Sequence, residues 1–217
     1  MKDNILIVAA HSDDQIIGVG GTAAKYVQKG FKVTTVIVFS GEESHPHFKE
    51  EIIINTRMYE SLKANEVIGG KKVEFFSFEE KSFSNKEFAK AKDMLDKIVN
   101  RQKPTKIFTH SPEDHHPGHK KISNLVLNVV DLSKRKIEVY TFDIWNPFRW
   151  DKKNHPKLVI DTGETFDKKM KALKCFKSQF DSHAFLNYVP LATMYVKNFI
   201  NGKKHGYKRA EVFYRIR

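Results

Sequence analysis

Along the first two thirds of the chain, apolar runs of five to eight residues alternate with amphipathic stretches of about fifteen, the rhythm of successive βαβ units. The spacing predicts strands over 4–10, 32–39, 72–78, 104–110 and 136–143, and helices near 15–29, 47–67, 86–101 and 118–131. Gly30 stops the first helix and Gly69-Gly70 follows the second, where glycine commonly ends helices. After residue 143 the alternation breaks into Trp145-Asn146-Pro147-Phe148-Arg149-Trp150, an aromatic loop, before a helix over 165–178 and a final strand over 210–216. The expected class is α/β with a mostly parallel central sheet. No internal repeat, low-complexity tract or linker interrupts it, and 217 residues suit one domain that buries roughly 70% of its unfolded surface.

Composition adds bounds. With 40% hydrophobic and 12% aromatic residues the chain is globular. It carries neither a long apolar span nor a charged leader followed by an apolar stretch, so a soluble, cytoplasmic protein without a membrane span is expected. The single cysteine, Cys175, excludes an internal disulfide and a cysteine-built zinc site. Its lysine-rich setting reads as a helix face. The formal charge of +12 raises the question of an anionic partner. The lysines are spread along the chain, and the local gatherings at Lys168-Lys169 with Lys171 and Lys174, and at Lys203-Lys204 with Lys208 and Arg209, read as solvated surface. No motif with interleaved aromatics and glycines is present, so no nucleic-acid partner is expected.

The chemistry lies where two apolar runs end. Ile5-Leu6-Ile7-Val8-Ala9 leads into Ala10-His11-Ser12-Asp13-Asp14, and Ile107-Phe108-Thr109-His110 leads into Ser111-Pro112-Glu113-Asp114-His115-His116-Pro117-Gly118-His119. Open α/β sheets bind ligands beyond the carboxyl ends of their strands, and both loops leave from that edge. Imidazole and carboxylate are metal donors, and a catalytic zinc takes three protein ligands and keeps one position open; His11, Asp14 and His119 fit that count. Asp13, beside a ligand, is then placed to accept a proton as general base. Read alone, His-Ser-Asp-Asp is equally a helix N-cap. Gly18-Val19-Gly20-Gly21 follows, but its spacing is not that of a dinucleotide loop, and close packing of helix on sheet explains it more simply.

These motifs together resemble the LmbE-like and PIG-L family of zinc-dependent N-acetylglucosaminyl de-N-acetylases, over most of the chain. The family's A-H-P-D-D-E and G-x-G-G are similar to Ala10-His11-Ser12-Asp13-Asp14-Gln15 and Gly18 to Gly21; its T-x-G-E-like turn and R-x-x-E resemble Phe39-Ser40-Gly41-Glu42 and Arg57 to Glu60. Its H-P-D-H resembles His116-Pro117-Gly118-His119, and its K-x-x-A-L-x-x-x-x-S-Q is approximated by Lys168 to Gln179. The resemblance implies a Rossmann-like three-layer sandwich forming a single domain over 1–217, with a core over 1–145 and a C-terminal extension over 146–217. It implies one Zn2+ per chain, another divalent metal being compatible, on His11, Asp14 and His119. Asp13 would be general base, and His116 would stabilise the oxyanion or protonate the amine. The activity implied is removal of an N-acetyl group from an N-acetylglucosamine-type sugar or its conjugate. The alternatives are a zinc amidase on another acylated amine and a catalytically weakened binding relative.

Ser12 stands for the family's proline, Gln15 for its glutamate, and Gly118 for the aspartate of H-P-D-H. The last departure removes a carboxylate expected to orient His116, and Asp114 or Glu113 is the expected substitute. Gln15, Ser40, Arg57, Glu60, Asp114, His115 and Arg149 are expected to support the site or touch substrate. His110 is expected to pack or hydrogen-bond beneath it. His45 and His47 read as a solvated loop, and His155, His183 and His205 as surface. Recognition is expected from the loop at 145–150 and the segment 180–195, since loops over a rigid sheet carry it. Lysine-rich surroundings suit an anionic small-molecule amino-sugar conjugate, and assembly into a homo-oligomer is expected beyond the core sheet.

Overall fold

The computed structural model describes residues 4–42, 50–144, 156–180 and 188–217. The chain runs β1 (Asn4–Ala9), α1 (Asp14–Gln28), β2 (Lys32–Phe39), α2 (Glu50–Ile68), β3 (Lys72–Phe78), α3 (Asn85–Gln102), β4 (Pro104–His110), α4 (Pro117–Leu132), β5 (Glu138–Phe142), β6 (Lys157–Asp161), α5 (Phe166–Leu173), α6 (Lys177–Phe180), α7 (Tyr188–Lys204) and β7 (Ala210–Arg215). Among the described residues these strands form one sheet in the order β3-β2-β1-β4-β5-β7-β6. The first five pair in parallel, while β7 is antiparallel to β5 and β6 to β7.

The apolar runs are continuous because both faces of the sheet are covered. Side chains alternate across a strand. Ile5 and Ile7 of β1 therefore enter one core with residues of α1, α2 and α5, whereas Leu6 and Val8 enter the other with residues of α3 and α4. The expected α/β sandwich is thus the observed architecture. From β1 the chain moves outward through β2 and β3, then returns to place β4 on the other side of β1. That reversal opens a crevice at the carboxyl ends of β1 and β4.

The glycines of α1 are contacts of helix on its surroundings. A Cβ on Gly18 would stand 2.7 Å from Phe142 Cε2, and one on Gly21 would stand 2.9 Å from Thr162 Cγ2. One lysine of the gathering expected on the surface is instead fully buried. Lys169 Nζ pairs with Glu211 Oε1 at 2.6 Å and donates to Ile17 O at 2.7 Å, while Glu211 accepts from the amides of Gly21 and Thr22 at 3.2 and 2.8 Å. A buried charge needs such a partner set, and together these contacts bolt α5 and β7 to the middle of α1.

Three expectations change. The helix expected over 165–178 divides into α5 and α6 because Phe176 drops into the core at the turn between them. β6 is an additional strand, whose apolar stretch is only Leu158-Val159-Ile160 between charged residues. α7 is an additional helix; its apolar residues fall on both sides, Met194 buried but Tyr195, Val196, Phe199 and Ile200 exposed, so a one-sided periodicity is missing. The start of the helix expected at 47–67 and the aromatic loop at 145–150 lie outside the described residues. No described helix is long and apolar enough to cross a membrane.

Candidate metal centre

β1 delivers His11 to the crevice, and β4 delivers His110 beside it. α1 begins at Asp14, with Asp13 at its N-cap position and no side-chain capping bond. The capping alternative is therefore not how the acidic pair is used. α4 begins at Pro117, and His116 caps it: its Nδ1 accepts from Gly118 N at 3.2 Å. Within the first turn of α4 the fully buried His119 points back at Asp14.

Asp14 Oδ2 is the centre of the cluster. It accepts from His11 N at 2.8 Å and lies 3.2 Å from His11 Nδ1, 3.3 Å from His110 Nε2 and 3.4 Å from His119 Nε2. Two of these histidines, His11 and His119, meet another carboxylate with their outer ring nitrogen. His11 Nε2 lies 2.7 Å from Glu80 Oε2, and His119 Nδ1 lies 3.1 Å from Asp114 Oδ1. Asp114 is fixed in turn, accepting from His116 N at 3.0 Å and Ile144 N at 2.9 Å. His110 Nε2 accepts from Ala10 N at 3.0 Å, as expected of a histidine beneath the site.

His11, Asp14 and His119 offer one donor atom each within a cluster that could hold a cation. His119 Nε2 is buried with no hydrogen-bond partner, a polar atom left unsatisfied unless something binds there. Donors about 2.0–2.2 Å from a tetrahedral cation stand roughly 3.3–3.6 Å apart, and the two separations from Asp14 Oδ2, 3.2 and 3.4 Å, are close to this. Two imidazoles and a carboxylate, the histidines each backed by a further carboxylate, are a donor set suited to a divalent metal.

Electrostatics agree with that fit. Burial works against the charge of Asp14, but His119 and His110 hold its carboxyl well below the usual range. Burial likewise lowers His119, yet Asp14 and Asp114 push it up to about 10. The pocket thus favours a positive charge at this position. His110 is pushed down to about 4 by burial and by His119. Asp13 is raised by burial and by the charge of Asp14, with Arg57 opposing, so its carboxyl is a better proton acceptor than its neighbour. Burial and the charges of His119 and His11 lower His116.

The other candidates sort by contact. Arg57 Nη2 reaches Asp13 Oδ1 at 3.4 Å and Arg57 Nη1 donates to Gly41 O at 3.3 Å. Glu60 accepts from the Ser178 amide and hydroxyl at 2.8 and 2.6 Å, joining α2 to α6. Gln15 turns to Ser61 Oγ at 3.1 Å, and Ser40 Oγ bonds Glu42 and Phe78 O. His115 is exposed, whereas the His116 ring lies 5.2 Å from that of His11 and 4.6 Å from that of His119. Arg149, His45, His47, His155 and His183 lie outside the described residues. Asp114, the expected substitute for the missing aspartate, is committed to His119 and to backbone amides. The carboxylate facing the His116 ring is Glu80, with Oε1 3.6 Å from His116 Nδ1. Glu80 was not anticipated; its signal was its position just past the third strand, at the same sheet edge.

A family model of GlcNAc-PI de-N-acetylases, PIG-L, matches residues 6–130. A protein of Bacillus cereus named a probable N-acetyl-alpha-D-glucosaminyl L-malate deacetylase 2 is 25% identical over 214 residues, covering 89% of this chain and 94% of its own. Among solved structures, N,N'-diacetylchitobiose deacetylase of Pyrococcus horikoshii is similar with a TM-score of 0.83 at 19% identity, covering 99% of this chain and 84% of that one. GalB, a 4-carboxy-2-hydroxymuconate hydratase of Pseudomonas putida, is similar with a TM-score of 0.81 at 19% identity, covering 100% and 97%. At such identities these structures show the fold, which a deacetylase and a hydratase share.

Proposed function

The chain belongs to the PIG-L family of GlcNAc-PI de-N-acetylases, and from that premise we propose that it is a zinc-dependent hydrolase removing an N-acetyl group from an N-acetylglucosamine conjugate. The observation that carries the reading is the buried His119 Nε2, without a hydrogen bond and facing the Asp14 carboxylate that His11 also faces. His11, Asp14 and His119 would hold the metal. When bound, zinc supplies a Lewis acid that polarises the acetamide carbonyl and lowers the pKa of water to about 7.

The chain's own residues do the rest. Asp13, oriented by Arg57, takes the proton of the attacking water on its carboxylate. His116 accepts from Gly118 N through Nδ1, which in the neutral ring leaves the proton on Nε2. That Nε2–H stabilises the developing oxyanion as the water adds to the carbonyl carbon. Asp13 then returns its proton to the departing amine. The charge of +12 and the malate in the bacterial relative's name support an anionic conjugate.

Acetate release from neutral and anionic N-acetylglucosamine conjugates, with zinc or with chelator, tests the reading. Release abolished by chelator and restored by zinc, with lower KM for the anionic members, is expected. Zinc-loaded protein that releases no acetate from any of them overturns it.

A further inference from the structure

Residue 118 has no backbone reason to be glycine. Gly30, Gly41, Gly69 and Gly206 are the described glycines with positive φ, and Gly118 is not among them. Its smallness makes room instead. A Cβ there would overlap Glu80 Oε1 and stand 2.8 Å from Glu80 Cδ. The space beside the His116 ring is thus filled by a carboxylate delivered from another element.

Glu80 sits on the connection between β3 and α3, and its approach is built into that connection. β3 slips register against β2 between Ile37 and Phe39, and Ser77 adopts φ +56, a sparsely populated conformation for a non-glycine residue. Such irregularities re-aim the end of a strand and gather beside active sites. Three residues past Glu80, the buried Phe83 ring packs 5.1 Å from Phe39 and 5.4 Å from Phe78, and Phe83 N donates to Glu80 O at 3.4 Å. The loop is pinned at both ends. Its carboxylate then spans two rings, with Oε2 2.7 Å from His11 Nε2 and Oε1 3.6 Å from His116 Nδ1.

We infer that Glu80 is a positioning residue of this site, supplying from the β3–α3 connection the carboxylate that Gly118 cannot, and that Gly118 is small because Glu80 occupies its side-chain space. The inference rests on the metal-site reading above. Accepting the Nε2–H of His11 fixes that ring with Nδ1 free toward the metal and makes it a stronger donor, as carboxylates backing metal-bound histidines do. Toward His116 the same carboxylate acts through its charge alone, since the Nδ1 it faces at 3.6 Å already accepts from the Gly118 amide. Asp114 serves His119 as Glu80 serves His11, so each histidine ligand has its own acid.

The test is a double-variant cycle in the full chain: Glu80→Ala, Glu80→Gln, Gly118→Asp and Glu80→Ala/Gly118→Asp. Zinc affinity is measured by competition with a chromophoric chelator, the ligand field by absorption of the cobalt(II) form, and kcat and KM by acetate release. Glu80→Ala is expected to weaken zinc affinity or kcat about 10–100-fold and to alter the cobalt bands. Glu80→Gln is expected to recover only part of that loss. Gly118→Asp alone should also impair, by displacing Glu80, while the double variant regains most of the affinity and the cobalt spectrum. Single effects that merely multiply in the double variant overturn the inference. If Gly118→Asp fails to fold, unchanged zinc affinity and cobalt bands in both Glu80 variants overturn it. A second cobalt ion bound by wild type and lost in Glu80→Gln also overturns it, making Glu80 a ligand. Wild-type protein without acetate release strikes at the substrate reading, and the zinc and cobalt cycle still decides the role of Glu80.

Discussion

Two adjacent carboxylates, Asp13 and Asp14, hold opposite electrostatic positions because their surroundings differ. Asp14 faces three histidines and stays ionised, whereas Asp13 is desolvated beside that charge and is raised. Asp13→Asn is therefore expected to keep its zinc and lose turnover by about 10²–10⁴-fold; wild-type kcat in this variant would remove Asp13 from the mechanism. Asp114→Asn acts differently, since Asp114 touches His119 Nδ1 rather than reacting atoms. It should weaken zinc affinity about 10–100-fold, read by chelator competition. At this scale the histidines and acids of the two loops were legible from residue type and from their place at strand ends. Glu80 was not, because its partners His11 and His116 lie 69 and 36 positions away in sequence and no local pattern links them.

α1 shows what one element needs from its neighbours. Its glycines admit Phe142 and Thr162, and its backbone at Ile17, Gly21 and Thr22 is tied to the buried pair Lys169 and Glu211. Removing one partner leaves an uncompensated buried charge. Glu211→Gln is expected to cost about 3–5 kcal/mol, and Lys169→Met/Glu211→Gln distinctly less, in urea unfolding. Equal losses for the two would show that the amide bonds to α1, not the charge, are what matter. The core strands and their helices were readable because both-face burial writes long apolar runs into them. β6, with three apolar residues at the sheet edge, and α7, with apolar residues on both sides, were not, because their form is set by β7 and the α1 layer rather than by periodicity.

For the molecule as a whole, the metal and the fold share the same protons. In metal-free protein His119 titrates near 10, above the roughly 6.5 of an unfolded histidine, so the folded state holds a proton that the unfolded state releases between those values. That contribution is complete below about pH 6.5 and is lost as pH rises toward 10. His110, held near 4, has the opposite sign: the unfolded state binds its proton first, so stability falls as pH drops from about 6.5 toward 4. Chelated protein should be most stable near pH 6.5, measured by urea midpoints across pH, and zinc, which displaces the His119 proton, should remove much of the alkaline decline. A flat alkaline limb without metal would contradict the charge assignment of the site. Local order along the chain was enough to determine the parallel α/β layering and the two acid-and-histidine loops, because burial on both faces and strand-end placement are properties of short segments. Only the tertiary structure decided that a carboxylate beyond β3 fills the space at Gly118, that Asp114 backs His119, and that Lys169 is buried, because each depends on distant segments meeting at one point in space.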